Sequence, residues 1–415
     1  MTPLEPWEKV LIELKGSVQS FAGIDQTHAL IGCVNCHGGT EPASYINGFY
    51  EAHDSTTFIK DPSLNPEQNC NPCHAAKVES NKNSMHSMAW GERTAIAQRE
   101  LGAAVDHNDF DSCPVALTDG FDGDCTSCHT TCGQCHVSRP NSVHGGFINS
   151  HRFSATPDQT NNCMACHGTR ISVDFKGSLT GNKPDVHYLQ GKKCWDCHKE
   201  DMHADASSYA TRYHMVDMDG YPTCSGCHGA EATSNNYHSE HWPGSGDGLS
   251  CFVCHSQPYY NCNSCHTNGE WQEGYAQVGD TDVHTGDKGY SEYPEFRIGY
   301  NYDMDLHDGK WIVVRHIPVS VDSYEPWGHA TLAEYGARPT WEYTSPHNIR
   351  RFTAQTDTTG GASCSENCHL EGAKAELNRK RFLWQSFIDS AYTEEVKANL
   401  PVVVDDDLPS GWLRY

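Results

Sequence analysis

A five-residue pattern, Cys-x-x-Cys-His, occurs nine times in this chain of 415 residues, and a stretched tenth copy follows near its end. The nine regular copies supply the cysteine pairs Cys33 and Cys36, Cys70 and Cys73, Cys125 and Cys128, Cys132 and Cys135, Cys163 and Cys166, Cys194 and Cys197, Cys224 and Cys227, Cys251 and Cys254, and Cys262 and Cys265. The stretched copy runs Cys364-Ser-Glu-Asn-Cys368-His369, with three residues between its cysteines. Each copy brings two thiols and one imidazole close enough to act on a single bound group.

This pattern is the attachment signature of c-type haem, in which two thiols add to the vinyl groups of one porphyrin and the adjacent imidazole ligates the iron. Random placement of the chain's Cys and His residues would give about 0.07 copies, so chance does not explain the repeat. Zinc is the alternative, but a zinc site closes with two such half-sites and does not require His after every second Cys. The repeat predicts haem c, with ten expected and nine as the minimum, because the stretched copy is the weakest.

With motifs spread from Cys33 to His369, the chain resembles the multihaem c-type cytochromes, in particular those that act as extracellular electron conduits. Ten haems in 415 residues leave about 40 residues for each, and apolar residues make up only 37% of the chain with a mean hydropathy of −0.64. We therefore expect the haems to form much of the core. The predicted fold is mostly irregular coil with short α-helices and little β-structure.

The motifs also supply one iron ligand each, on the side that we call proximal. These proximal residues are His37, His74, His129, His136, His167, His198, His228, His255, His266 and His369. Sixteen further histidines remain among the 26 of the chain, enough for a second ligand on every iron. The candidates for this distal position are His28, His53, His86, His144, His151, His187, His203, His214, His238, His241, His316 and His347. The other four are His107, His284, His307 and His329.

Several distal candidates stand out by their place in the chain. His238 and His241 should share one face of a helix between two motifs, and His28 and His187 precede motifs and could reach a neighbouring haem. His86 lies between Met85 and Met88, so methionine is a rival ligand there. Methionine raises a haem's potential relative to a second histidine, and because the chain has only eight Met we expect mostly low-potential, bis-His haems.

Motif spacing divides the chain into four segments. Residues 1–110 carry two haems, residues 111–270 carry seven, residues 271–363 have no motif and are predicted to brace the fold and lend distal histidines, and residues 364–415 carry the last haem with a helix and tail. The alternative for 271–363 is a small docking module without haem.

Three elements and one extra cysteine complete the prediction. Trp7–Leu14 has the pattern of a short amphipathic helix, Trp311–Val321 that of a strand, and residues 370–399 that of a helix. Cys113 belongs to no motif, and we expect a buried free thiol there. The alternative is a long-spaced attachment site that pairs it with Cys128 and frees Cys125.

Charge and hydropathy limit the location and the partners. The formal net charge of −25 argues against a nucleic-acid partner, which requires a basic surface. No stretch approaches the 18 or so apolar residues that a membrane span needs, and Met1–Ser20 shows no signal peptide. Because c-type haem is attached outside the cytoplasm of prokaryotes, we expect an exported protein that is extracellular, on the cell surface or in the periplasm.

The haems and their ligands indicate a function. An iron with two histidine ligands has no open position, so closely spaced bis-His haems can only pass electrons. We expect an electron carrier without a catalytic residue that links redox donor and acceptor proteins or extracellular metal acceptors, and that self-associates into a filament. One alternative is a reductase or oxidoreductase of the nitrite, hydroxylamine or tetrathionate type, with one open or lysine-ligated haem. The other is a monomeric surface metal reductase.

Overall fold

The computed structural model describes 18 stretches of the chain. These are 28, 31, 33–39, 57–102, 104–125, 131–149, 151–179, 181–208, 220–242, 248–260, 294–301, 310–317, 323–329, 332–335, 340–361, 363–369, 374–387 and 392–404. The predicted helix Trp7–Leu14 lies outside them. The chain forms two compact units that are each discontinuous in sequence. The four-segment division by motif spacing stays a prediction.

The first unit comprises Met1–Ala89, Cys125–Cys166 and Met202–Asp205. Its described elements are short: α-helices Cys33–His37, Pro66–Asn69, Asn71–Asn81, Met85–Met88, Cys132–His136 and Met164–Cys166, 3-10 turns Pro62–Leu64 and Asn141–Val143, and a π-helical turn Gln159–Cys163. Among its described residues, the buried apolar side chains are Val78, Ala89 and Val137.

The second unit comprises Trp90–Asp124, His167–Asp201 and Ala206–Tyr415. Its described α-helices are Trp90–Leu101, Val115–Asp124, Val173–Lys176, Val186–Leu189, Cys194–Cys197, Cys224–His228, Asn236–His241, Cys251–His255, Cys364–Cys368, Ala375–Arg379 and Thr393–Asn399. Short 3-10 or π turns occupy His107–Ser112, Gly168–Ser172, Gly229–Thr233, Glu325–Trp327, Thr359–Gly361, Gln385–Phe387 and Leu400–Val402.

Two small antiparallel sheets lie in the second unit. One pairs β1 (Tyr259–Tyr260) with β2 (Pro294–Glu295), and the other has the order β3 (Arg297–Tyr300), β4 (Trp311–Ile317), β5 (Thr340–Tyr343). Strand β4 confirms the strand predicted from Trp311, although the described strand ends at Ile317.

The central strand β4 is buried on both faces. Trp311 and Val313 pack into one apolar cluster with Phe382 and Trp384, whereas the alternate residues Ile312 and Val314 pack into a second cluster. That second cluster also contains Trp341, Tyr343, Leu383, Val402 and Val403. Side chains alternate between faces along a strand, so an unbroken apolar run can fill both clusters.

The predicted helix over 370–399 is wrong. The described residues form two separate helices, Ala375–Arg379 and Thr393–Asn399, with an extended stretch at Phe382–Trp384 between them. The Leu383 amide donates to the Ile298 carbonyl at 2.8 Å, and Val404 donates in turn to the Leu383 carbonyl at 3.0 Å. Three consecutive large apolar residues cannot share one face of a helix, but in an extended chain they reach both apolar clusters.

Among the described residues, no helix combines the length and apolar character needed to cross a membrane.

We expect Leu383→Ala to lower the free energy of unfolding by about 2–5 kcal/mol, because it leaves a cavity beneath the sheet. The Leu383 side chain is 1% exposed. Leu377→Ala is the matched control, since Leu377 is 55% exposed and its truncation should change stability by no more than about 0.5 kcal/mol. Chemical denaturation followed by far-ultraviolet circular dichroism measures both, and equal effects would contradict the packing described.

Candidate functional site

Most of the described motifs fold as a single helical turn of their own. The residue before the first cysteine begins this turn: the hydroxyls of Thr131, Thr223 and Ser363 accept from the amides of Gln134, Gly226 and Glu366 at 3.4, 3.1 and 3.2 Å. Ser and Thr are favoured at this position because their oxygen satisfies an amide that the helix leaves unpaired. Residues three and four apart lie on one side of a helix, so the turn directs both thiols and the imidazole toward one place.

None of the sixteen cysteines whose side chains are described forms a disulfide. Fifteen belong to motifs and are partly or fully exposed. Cys113 is buried, as predicted, and burial raises the pKa of its thiol to about 11. Cys128 lies outside the described residues, so the choice between a free thiol at Cys113 and its pairing with Cys128 stays a prediction.

Among the described residues, seven proximal histidines each face a second histidine from elsewhere in the chain. We call these the seven facing pairs. The first unit contains His28 with His74 (ring centroids 6.2 Å apart), His37 with His151 (5.7 Å) and His136 with His203 (6.0 Å). The second unit contains His187 with His228 (6.1 Å), His198 with His347 (6.4 Å), His238 with His255 (6.2 Å) and His241 with His369 (6.2 Å).

These distances suit two imidazoles on opposite sides of one metal ion. A metal–imidazole bond of about 2.0–2.1 Å plus about 1.1 Å from nitrogen to ring centroid, counted on both sides, predicts centroids about 6.2–6.4 Å apart. Direct ring contact is closer, since His28 stacks on Phe153 with centroids 4.0 Å apart. Six of the facing pairs lie within 6.0–6.4 Å, so the residues present fit a bis-His haem iron.

Hydrogen bonds hold many of these rings by the same nitrogen. Five rings place Nδ1 against a backbone carbonyl: His37 on Ile59 (2.8 Å), His136 on Ser154 (2.6 Å), His255 on Arg350 (3.1 Å), His241 on Tyr237 (2.8 Å) and His347 on Ser345 (2.8 Å). Two more place it against a carboxylate: His187 on Asp185 (2.9 Å) and His198 on Glu200 (2.6 Å).

Because carbonyl and carboxylate oxygens only accept, Nδ1 carries the proton in these seven rings and the lone pair remains on Nε2. Metal-binding histidines usually show this arrangement, in which the second nitrogen donates to an acceptor that orients the ring. The hydrogen bonds therefore leave Nε2 as the nitrogen that would bind a metal ion.

Burial also favours the neutral ring that binds a metal. It lowers the pKa of His151 to about 4, assisted by the charges of His37 and His28. Burial lowers the pKa of His347 to about 4 in the same way, assisted by His198. For His198, burial would lower the pKa, but the hydrogen bond and negative charge of Glu200 outweigh it and the pKa is raised.

The structure places the predicted distal residues as follows. His28, His151, His187, His203, His238, His241 and His347 each belong to a facing pair. The predicted helix that carries His238 and His241 is confirmed as Asn236–His241. His86 lies in the helix Met85–Met88, and His144 lies in a left-handed turn. Neither residue is a member of the seven facing pairs.

Some of the predicted ligands and attachment cysteines lie outside the residues that the structure describes. His53, His214, Cys128, His129, Cys262, Cys265 and His266 lie outside the described residues, as do the side chains of Cys33, His316 and Cys364. Their roles stay predictions.

Sequence reasoning missed the two carboxylates, Asp185 and Glu200. Each lies two residues from the ring that it accepts from, in Asp185-x-His187 and His198-x-Glu200. That short spacing is a usable signal, because an acidic residue two positions from a histidine can reach its Nδ1 without help from distant parts of the chain.

A structural zinc site is normally closed by four protein ligands, whereas each facing pair offers two rings. Within the described ranges, no group of three or more His, Cys, Asp or Glu side chains is arranged to bind one metal ion.

Comparison with known proteins gave no match to a family model, to a curated protein or to a solved structure.

We expect His347→Ala to open one iron position. The ring of His347 is the partner of His198, so its removal should produce one high-spin haem that binds carbon monoxide when reduced. His329→Ala is the matched control, because Nε2 of His329 is already hydrogen-bonded to Glu100 at 2.7 Å. Optical and electron paramagnetic resonance spectra test both variants. An unchanged low-spin spectrum in His347→Ala would contradict the assignment.

Proposed function

We propose that this chain is a decahaem c-type cytochrome that serves as an extracellular electron-transfer conduit with bis-His haems in a closely spaced series. The observation that carries the proposal is the set of seven facing pairs, in which a motif histidine meets a distant histidine at 5.7–6.4 Å. When bound, haem iron supplies reversible one-electron chemistry between its ferric and ferrous states. The remaining parts of the mechanism belong to the chain's own residues.

The first task of those residues is to close the axial positions. A proximal and a distal imidazole together leave no place for a substrate, so the described pairs favour electron transfer over bond chemistry. At the sixth motif a lysine ligand was the rival, since Lys192, Lys193 and Lys199 surround it. Lys199 donates to the Trp195 carbonyl at 2.8 Å, and the ring opposite His198 is that of His347. These contacts support a carrier over an enzyme with a lysine-ligated haem.

The second task is to keep neighbouring sites close in the second unit. The helix Asn236–His241 carries His238 and His241 one turn apart, yet their partners are His255 and His369 from different motifs. Side chains three positions apart on a helix have Cβ atoms about 5–6 Å apart. One helical turn therefore brings the eighth and tenth motifs close together.

Other contacts join further pairs within the second unit. The Val186 amide donates to the Ile349 carbonyl at 2.9 Å, which joins the segment of His187 to that of His347. Arg350, the next residue, accepts from Nδ1 of His255 at 3.1 Å and donates to the Pro184 carbonyl at 2.9 Å, which brings the eighth motif to the same segment. These contacts support a continuous series through motifs six, seven, eight and ten.

The first unit shows comparable proximity. The Phe153 ring lies against His28 of one facing pair, with centroids 4.0 Å apart, and near His151 of another, at 6.4 Å, so the first and second motifs are neighbours. The Ser63 hydroxyl donates at 2.7 Å to the hydroxyl of Thr131, which precedes the fourth motif, and Asn69, which precedes the second motif, donates to the Pro62 carbonyl at 2.9 Å. The second and fourth motifs are therefore neighbours as well.

The proposal also covers the electron acceptor and the assembly of chains into a filament. A net charge of −25 suits metal cations or metal-bearing surfaces as acceptors. Filament formation would require one chain to lend a ligand to the next. His28 faces His74 of its own chain, so another residue would have to join the subunits. Electron micrographs that show only separate globules under native conditions would contradict a filament.

Spectroscopy tests the conduit directly. The purified protein should show only low-spin haem in both oxidation states and no reaction with carbon monoxide or nitrite, because both axial positions are occupied. Reductive titration should consume one electron per haem. A high-spin component that binds either ligand in the unmodified protein would favour a reductase instead.

The haem count has its own test at the stretched motif. We expect the double variant Cys364→Ser/Cys368→Ser to lower the number of attached haems by one, because no thioether bond could then form at that site. Cys113→Ser is the matched control and should leave the count unchanged, since Cys113 is buried and belongs to no motif. Intact-protein mass spectrometry measures both. Loss of a haem in Cys113→Ser would support the long-spaced pairing of Cys113 with Cys128.

A further inference from the structure

Two facing pairs contain a ring that a carboxylate holds. The rings of His187 and His198 donate from Nδ1 to the carboxylates of Asp185 and Glu200. Five further rings donate from Nδ1 to a neutral backbone carbonyl, and Nδ1 of His238 lies 2.6 Å from the neutral hydroxyl of Ser234. Both carboxylates are buried, with side chains 3% and 10% exposed respectively. Buried acidic residues are rare unless they are paired.

Asp185 is held in place by three donors. It begins the helix Val186–Leu189, where it accepts from the backbone amide of His187 at 2.7 Å in addition to the ring. Its other oxygen accepts from the Ile349 amide at 2.7 Å, two residues beyond His347. This one buried carboxylate therefore contacts segments that belong to both pairs, His187/His228 and His198/His347.

Glu200 is held mainly by the ring itself. One of its oxygens bonds Nδ1 of His198 at 2.6 Å, while the other, Oε2, is buried and has no hydrogen-bond partner among the described residues. Leaving a buried acceptor without a partner is unfavourable. Among the described residues, the negative charge of Glu200 therefore interacts mainly with His198.

A carboxylate on Nδ1 changes the electronic character of the ligand. It draws the Nδ1 proton toward itself and makes the ring a stronger donor at Nε2, as in the carboxylate–histidine–metal arrangements of other metalloproteins. A stronger donor and a nearby negative charge both favour the more positive ferric iron, and the effect is larger where water is excluded. The midpoint potential of that haem should fall.

We propose that Glu200 and Asp185 are positioning residues that make the sites His198/His347 and His187/His228 the lowest-potential haems among the seven facing pairs. The inference rests on the proposed function, since it requires bis-His haem at both sites. The two sites are neighbours, so they form one low-potential segment. Electrons from an external one-electron reductant reach that segment last, and they leave it first on reoxidation.

The test is Glu200→Gln in the full haem-loaded chain. Gln keeps an oxygen to accept from Nδ1 and removes the charge, and its amide nitrogen would take the position of the unpartnered Oε2. The lowest-potential step in an optical redox titration should move upward by roughly a tenfold change in the ferric-to-ferrous ratio, or about 59 mV for one electron. The low-spin ferric resonance of that haem should change with it.

Asp196→Asn is the matched control. Asp196 belongs to the same motif and carries an equal charge, but it is exposed and accepts from the backbone amide of Lys193 at 2.8 Å. Its charge is screened by water, so the lowest step should stay in place. Asp185→Asn provides a second variant that should raise the other low-potential step, provided that the haem count shows an intact fold.

The outcomes separate the inference from the proposed function. If the chain holds its full set of low-spin haems and Glu200→Gln leaves the lowest step unmoved, or moves it no more than Asp196→Asn does, the inference is overturned and the conduit stands. If the unmodified chain lacks covalent haem or shows an open high-spin site at the sixth motif, the proposed function fails first.

Discussion

A ring that must present Nε2 to a metal has to be held by its opposite nitrogen, and this requirement organises much of the described chain. His37, His136 and His255 come from motifs, yet the acceptors of their Nδ1 protons are backbone carbonyls 18 to 95 residues away. Each such bond fixes a loop at one point and a ring at the other. The irregular segments between motifs therefore act as ligand supports, even though they contain little regular secondary structure.

The two units meet the need for a core differently. In the second unit, a three-stranded sheet and the extended stretch Phe382–Trp384 bury Trp, Phe, Ile and Val side chains on both faces of β4. The first unit has only Val78, Ala89 and Val137 as buried apolar side chains among its described residues. The expectation that haems form much of the core stays a prediction for that unit.

The sequence predicted local features well and long-range pairing poorly. The spacing inside each motif predicted that two thiols and one imidazole come close together, and the structure shows that a helical turn does this. The helix that carries His238 and His241 followed from similar local reasoning. The partners of those rings depend on tertiary contacts between distant segments, as in His198 with His347, and no local pattern encodes such contacts. The helix over 370–399 was wrong for a related reason, since its apolar spacing is also compatible with an extended chain packed between two clusters.

The pairing of His198 with His347 also bears on how the molecule is assembled. A chain is synthesised from its N-terminus, so His28, His187, His238 and His241 already exist when the motifs that they serve emerge. The distal partner of the sixth motif, by contrast, lies in a segment far beyond the motif itself. The order of residues along the chain thus divides the pairs into those whose distal histidine precedes its motif and those whose distal histidine follows it. Closure of the sixth site would depend on the folding of the segment around His347.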